Sequence, residues 1–118
     1  MNLQILTFAI LSAATISCAT ASKVNLSPAG AKVTTGKADA GSGYSEIGPI
    51  TAEHGGGCGG FGERGDLEGA YTVLKNKAAQ VGANYVQIYT MIPPHSENGC
   101  FDNRYQIQGV SYRRDSQL

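Results

Sequence analysis

The hydrophobic positions of this chain fall into six blocks, each with its own spacing. Leu3 to Ile16 is a predominantly apolar run of 14 residues. That is shorter than the roughly 20 residues a helix needs to cross a bilayer core. Its length suits the apolar centre of a secretory signal peptide, although Met1 and Asn2 bring no basic side chain before it. Val24 to Leu26 and Lys32 to Thr35 are short apolar islands flanking a Pro28-Ala29-Gly30 turn, and each is expected to be a short strand. Tyr44 to Glu53 reads as an edge strand, with a bulge where Gly48-Pro49 puts Ile47 and Ile50 out of alternation. Leu67, Ala70, Tyr71, Leu74, Ala78 and Val81 then recur at spacings of three and four, the pattern of an amphipathic helix of about four turns. Asp66 is placed to cap its start, Glu68 to favour the positive end of its dipole, and Gly82 to end it in a left-handed turn.

The last two blocks alternate with period two. In Asn84 to Ile92 the alternation turns Val86, Ile88, Thr90 and Ile92 toward the helix and Tyr85, Gln87, Tyr89 and Met91 away from it, until Pro93-Pro94 stops the strand. His95 to Asn103 reads as a polar loop. Arg104 to Arg113 is a final strand whose apolar phase changes at Gly109, where a bulge is expected. The fold class that follows is α+β: a small sheet of about four or five mainly antiparallel strands packed on one principal helix. The expected organisation is a signal peptide over 1–17, an anchored N-terminus, tether and short strands over 18–43, and the α+β domain over 44–118.

At 118 residues the chain holds one small domain. Nine Lys and Arg balance nine Asp and Glu, and charged residues are 15% of the total, so no basic footprint exists for nucleic acid. The 16 glycines exceed the usual share of about 7% and concentrate in loops, above all His54 to Gly65 (HGGGCGGFGERG), where Phe61 is the only large apolar side chain. Gly57 to Gly62 satisfies G-x-G-x-x-G. A dinucleotide site is nevertheless not expected, because the chain is too short for two βαβαβ halves, Asp66 puts negative charge where phosphate would sit, and Gly82 and Ala83 occupy the place of the ribose-binding acid. No nucleotide and no other cofactor is expected.

Three cysteines sharpen the picture. Thr15-Ile16-Ser17-Cys18 looks like a bacterial lipobox, which would make Cys18 the acylated residue; Ala19-Thr20-Ala21 offers a competing site for ordinary signal peptidase. Either cut leaves Cys58 and Cys100 as an even pair, suited to a disulfide in an oxidising compartment. Closing a loop of about 43 residues is worth ~4 kcal/mol by loop entropy. The loop holding Cys58 precedes the helix and the loop holding Cys100 follows its partner strand, so both fit at one end of the sheet. An exclusive alternative pairs His54 with Cys58 and His95 with Cys100 as a tetrahedral zinc site. No nucleophile, base and orienting group come together, since Glu63, Glu97 and Asp102 fall in loops; no enzymatic activity and no catalytic residue is expected.

Three segments carry a family resemblance: Val24-Asn25-Leu26-Ser27-Pro28-Ala29-Gly30-Ala31-Lys32-Val33, Glu46-Ile47-Gly48-Pro49-Ile50, and Leu74-Lys75-Asn76-Lys77-Ala78-Ala79-Gln80-Val81-Gly82-Ala83-Asn84-Tyr85-Val86. In order and spacing they resemble a family of small bacterial lipoproteins with a domain of unknown function. The third is also similar to the outer-membrane lipoprotein that senses envelope stress for the Rcs phosphorelay. The resemblance implies a small α+β sandwich held by disulfide chemistry. With Ala19 rather than Asp after Cys18, it also implies sorting to the outer membrane. The family often has a cysteine before the strand holding the Ile-Gly step, where this chain has Gly43. The expected function is a non-enzymatic, periplasm-facing lipoprotein that binds or senses an envelope protein. The alternative is a secreted or soluble periplasmic metal-binding module using His54, Cys58, His95 and Cys100.

Overall fold

The computed structural model describes residues 23–59 and 63–117. The expected signal peptide, Cys18 and Phe61 lie outside the described residues. A 3-10 turn, Gly30–Lys32, leads into β1 (Thr34–Gly36), followed by β2 (Tyr44–His54), α1 (Leu67–Gln80), β3 (Tyr85–Ile92), a small hairpin of β4 (His95–Glu97) and β5 (Cys100–Asp102), and β6 (Tyr105–Arg114). The main sheet has the order β1-β3-β6-β2. β1 runs parallel to β3, while β3 with β6 and β2 with β6 are antiparallel, so the sheet is mixed and α1 lies across one face.

The sequence period sets this packing. Val86 and Ile88 from β3, Ile107 from β6 and Ala52 from β2 meet Ala70, Leu74 and Ala78 of α1, and Val33 and Ala83 close the end of the core. Leu74, Val86 and Ile107 are fully buried. The Asp66 carboxylate accepts the Gly69 amide and caps α1 as expected. At the other end Gly82 is left-handed, with a φ of 79°. The Gly82 amide reaches the Ala79 carbonyl and the Ala83 amide the Ala78 carbonyl, a Schellman closure that turns the chain directly into β3.

Four expectations change. Val24 to Leu26 forms no strand; the Asn76 side chain instead holds it on α1, accepting the Ser27 amide at 2.8 Å and donating to the Asn25 carbonyl at 2.9 Å. The bulge foreseen at Gly109 sits on its partner, where the register skips between Ile88 and Thr90 while β6 stays regular. That skip leaves Thr90 exposed instead of facing the helix. Gly109 is required for another reason: a Cβ there would collide with the Gln87 carbonyl and crowd Val86. Finally, His95 to Asp102 is a hairpin, not a loop, with Asn98 and Gly99 both at positive φ (51° and 76°) as a two-residue turn demands.

The edge strand β2 and its irregularity agree with expectation. Its register skips between Glu46 and Gly48, Ile47 turns outward and Ile50 packs on the core. The short strand expected at Lys32 to Thr35 starts two residues later, because the Lys32 and Val33 amides close the 3-10 turn on the carbonyls of Ala29 and Gly30. Val33 belongs to the core and β1 to the sheet, so the folded unit begins ahead of Tyr44.

Urea unfolding of the oxidised protein tests this packing. Leu74→Ala should cost about 3 kcal/mol through the cavity it leaves. Gly109→Ala should cost about 2 kcal/mol by forcing β6 from β3. Val81→Ala, at a half-exposed position, should stay within about 0.5 kcal/mol of wild type.

Candidate functional site

The chemistry-bearing side chains gather at the end of the sheet where β2 stops, α1 starts and the β4–β5 hairpin projects. Cys58 and Cys100 are joined by a disulfide with their Cα atoms 5.8 Å apart, and Cys58 also bridges to Asp102 as a single-residue extension of the hairpin. The paired loops expected at one end of the sheet are there.

Asn103 organises the loop. Its Oδ1 accepts the Gly57 amide at 2.8 Å, its Nδ2 donates to the Glu63 carbonyl, and its own carbonyl accepts the Gly65 amide at 3.2 Å. Two stretches of the loop therefore meet at the turn between β5 and β6. Gly65 fits because any side chain there would strike the carbonyls of His54 and Asn103. Next to it, Asp102 and Arg104 form a forked pair. The Arg104 Nε donates to Asp102 Oδ1 at 3.0 Å and Nη2 to Oδ2 at 2.8 Å, while Nη1 reaches Glu53 at 3.1 Å. The Arg104 guanidinium holds the Asp102 carboxyl at about 2, and the same pairing raises the guanidinium's own pKa.

The structure separates the four groups of the zinc alternative. Both sulfurs are bridged to each other. His54 is buried against α1, its ring against Gly69, and its Nδ1 accepts the Asp66 amide at 2.9 Å. The Asp66 carboxylate lies 3.7 Å from the same nitrogen. His95 stands on the hairpin, its Nδ1 donating to the Pro93 carbonyl at 3.1 Å and its Nε2 lying 3.3 Å from Glu97. Among the described residues no three His, Cys, Asp or Glu side chains converge as a metal would require. Glu97 and Asp102, expected in a loop, sit on the two hairpin strands. Gly57 and Cys58, the first residues of the G-x-G-x-x-G stretch, are committed to Asn103 and to the disulfide, so they form no phosphate cradle.

A second cluster occupies the face of the sheet away from α1. Tyr85, Gln87, Tyr89 and Met91 were expected to face outward, and Tyr89 and Met91 are exposed. Gln87 is buried because the 37–43 segment straps over it: its Nε2 donates to the Lys37 carbonyl and to Asp39, and its Oε1 accepts the hydroxyls of Tyr89 and Tyr112. Burial raises the Tyr112 phenol, and the Tyr89 hydroxyl adds to the shift. Tyr44, Tyr85 and Tyr112 stack beside it with ring centroids 6.1 and 6.3 Å apart. Neither Asn103 nor Gln87 stands out in the sequence, because each acts through partners dozens of residues away, and Arg104 joins its near neighbour Asp102 to the distant Glu53. Asn98-Gly99 was the one local signal for the hairpin.

Two titrations follow. Hydrogen bonding to the Pro93 carbonyl, and then to Glu97, raises the His95 pKa. Its contribution to stability is therefore complete below about 6.5 and is lost as pH rises through the higher folded value. The NMR titration midpoint of His95 should lie above 6.5 and fall in Glu97→Gln. For Asp102 the sign reverses. Its contribution is present above about 4 and is lost as pH drops through about 2. Denaturation midpoints of wild type and Asp102→Asn should differ at pH 5 and converge as pH falls to about 2.

No helix among the described residues is long and apolar enough to cross a membrane. No curated protein and no solved structure matches the chain. Residues 24–113 match the family model described as Domain of unknown function (DUF4156), which spans the 3-10 turn, both sheets, α1 and the disulfide. The chain, with its α+β fold of one helix on a mixed four-stranded sheet, therefore belongs to that family.

Proposed function

We propose that this protein is exported, anchored by a lipid on Cys18 to the periplasmic side of the outer membrane, and acts without catalysis by binding or sensing another envelope component. The Cys58–Cys100 bridge carries the reading. Structural disulfides persist where the compartment is oxidising, and this one ties the glycine loop to the hairpin. The lipobox-like Thr15-Ile16-Ser17-Cys18 supplies the anchor. Exposed Phe101 and Tyr89, with 61% of the surface of each open, supply apolar contact of the kind partner surfaces use.

The zinc alternative would require the bridge to be reduced and the buried His54 to give up its bond to the Asp66 amide. No observation favours it.

Palmitate labelling tests the anchor. The wild-type protein should take up label and fractionate with membranes, and Cys18→Ala should lose both properties; equal labelling of the two rejects the reading. Cross-linking from the hairpin, at Phe101, should capture a reproducible envelope protein. The yield should fall in Cys58→Ser, whose loop is no longer pinned to the hairpin.

A further inference from the structure

We infer that the groove between the 3-10 turn and the end of α1 rests on the membrane and receives anionic phospholipid headgroups between Lys32 and Arg114. This rests on the lipid anchor at Cys18 proposed above. Seven residues lead from Cys18 to Asn25, where Asn76 first fastens the chain to α1. Fully extended, they reach about 25 Å. The domain therefore stands close to the bilayer, and the surface beside Asn25 lies nearest to it. Ala29 and Lys32 follow within the same turn.

There the fold forms a groove of about 490 Å3, with Lys32 on one wall and Arg114 on another. Both side chains are exposed. The Arg114 amide donates to Asn84 Oδ1 at 2.7 Å, and its guanidinium lies over the Tyr44 ring, so the wall bearing it is fixed. A helix C-terminus ordinarily repels anions. Here the carbonyls of Lys77, Ala78 and Ala79 are occupied by the amides of Val81, Gly82 and Ala83, which removes them from the groove floor.

Charge is distributed to match. Lys32, Arg113 and Arg114 lie in the half where β6 ends, against Glu46 and Asp115, and Lys75 and Lys77 lie on the C-terminal half of α1. Glu53, Glu63, Asp66, Glu68, Glu97 and Asp102 lie toward the disulfide end with Arg64 and Arg104, and Arg104 is already paired. An anionic bilayer attracts the first half and repels the second, so the domain is held with its disulfide loops pointing away.

The test uses the lipidated protein reconstituted into vesicles of phosphatidylglycerol with phosphatidylcholine, or of phosphatidylcholine alone, each carrying a headgroup quencher. A fluorescent residue replaces Ala29 at the groove or Asn98 at the hairpin tip. On anionic vesicles the Ala29 probe should be quenched about threefold more than the Asn98 probe, and about 0.5 M salt should reduce that excess. Lys32→Glu alone, and Lys32→Glu with Arg114→Gln, should bring the two probes together, since each surface cation is worth about fivefold in membrane affinity. Protein that floats with the vesicles but quenches equally at both probes, or is indifferent to these substitutions, overturns the headgroup contact and leaves the anchor standing. Protein that does not float removes the anchor, and this inference with it.

Discussion

Helix α1 presents Gly69, Ala70, Leu74 and Ala78 to the sheet, and three of these four have no side chain beyond a methyl group, so helix and sheet backbones must lie close together. Everything else accommodates that approach. Close contact lets Leu74, Val86 and Ile107 fill the core with few other large side chains. It also places the His54 ring over Gly69, where the imidazole satisfies the Asp66 amide just as the Asp66 carboxylate satisfies the Gly69 amide. The end of β2 and the start of α1 are thus joined by a relay of two side chains at the two ends of the glycine-rich loop.

A core this small leaves the loops to be held by other means, and the structure uses a different device at each end. At the disulfide end, covalent closure combines with Asn103, which binds loop backbone with both ends of its amide. The Asp102–Arg104 fork beside it holds the Asp102 carboxyl at about 2. At the opposite end a Schellman turn and the Asn76 clasp replace the disulfide. A chain that looks like a long, polar tether in the sequence is already part of the fold by Asn25.

The two faces of the sheet are treated unequally. The face under α1 is sealed by aliphatic side chains, whereas the other is covered only over Gln87, by the 37–43 strap and three tyrosines. Tyr89 sits at the bulge of β3 and stays exposed, its hydroxyl reaching the edge of the polar cluster at Gln87. With Phe101 on the hairpin, exposed aromatics lie toward the disulfide end, while Arg113 and Arg114 lie at the opposite end of the sheet.

The sequence by itself determined the helix, its Asp66 and Gly82 caps, the irregular edge strand and the pairing of the cysteines. Each of these depends on neighbours within a few residues or, for Cys58 and Cys100, on simple parity. The Asn98-Gly99 turn was equally local, though the polar residues around it read as loop. Only the tertiary structure decided that His54 is a structural bond acceptor, that Asn76 seizes the entering chain, that Gln87 is buried under a strap, and that the bulge belongs to β3 and not to β6. Those outcomes depend on which backbones come into contact, and such contacts join positions from 12 to about 50 residues apart that no local period can register.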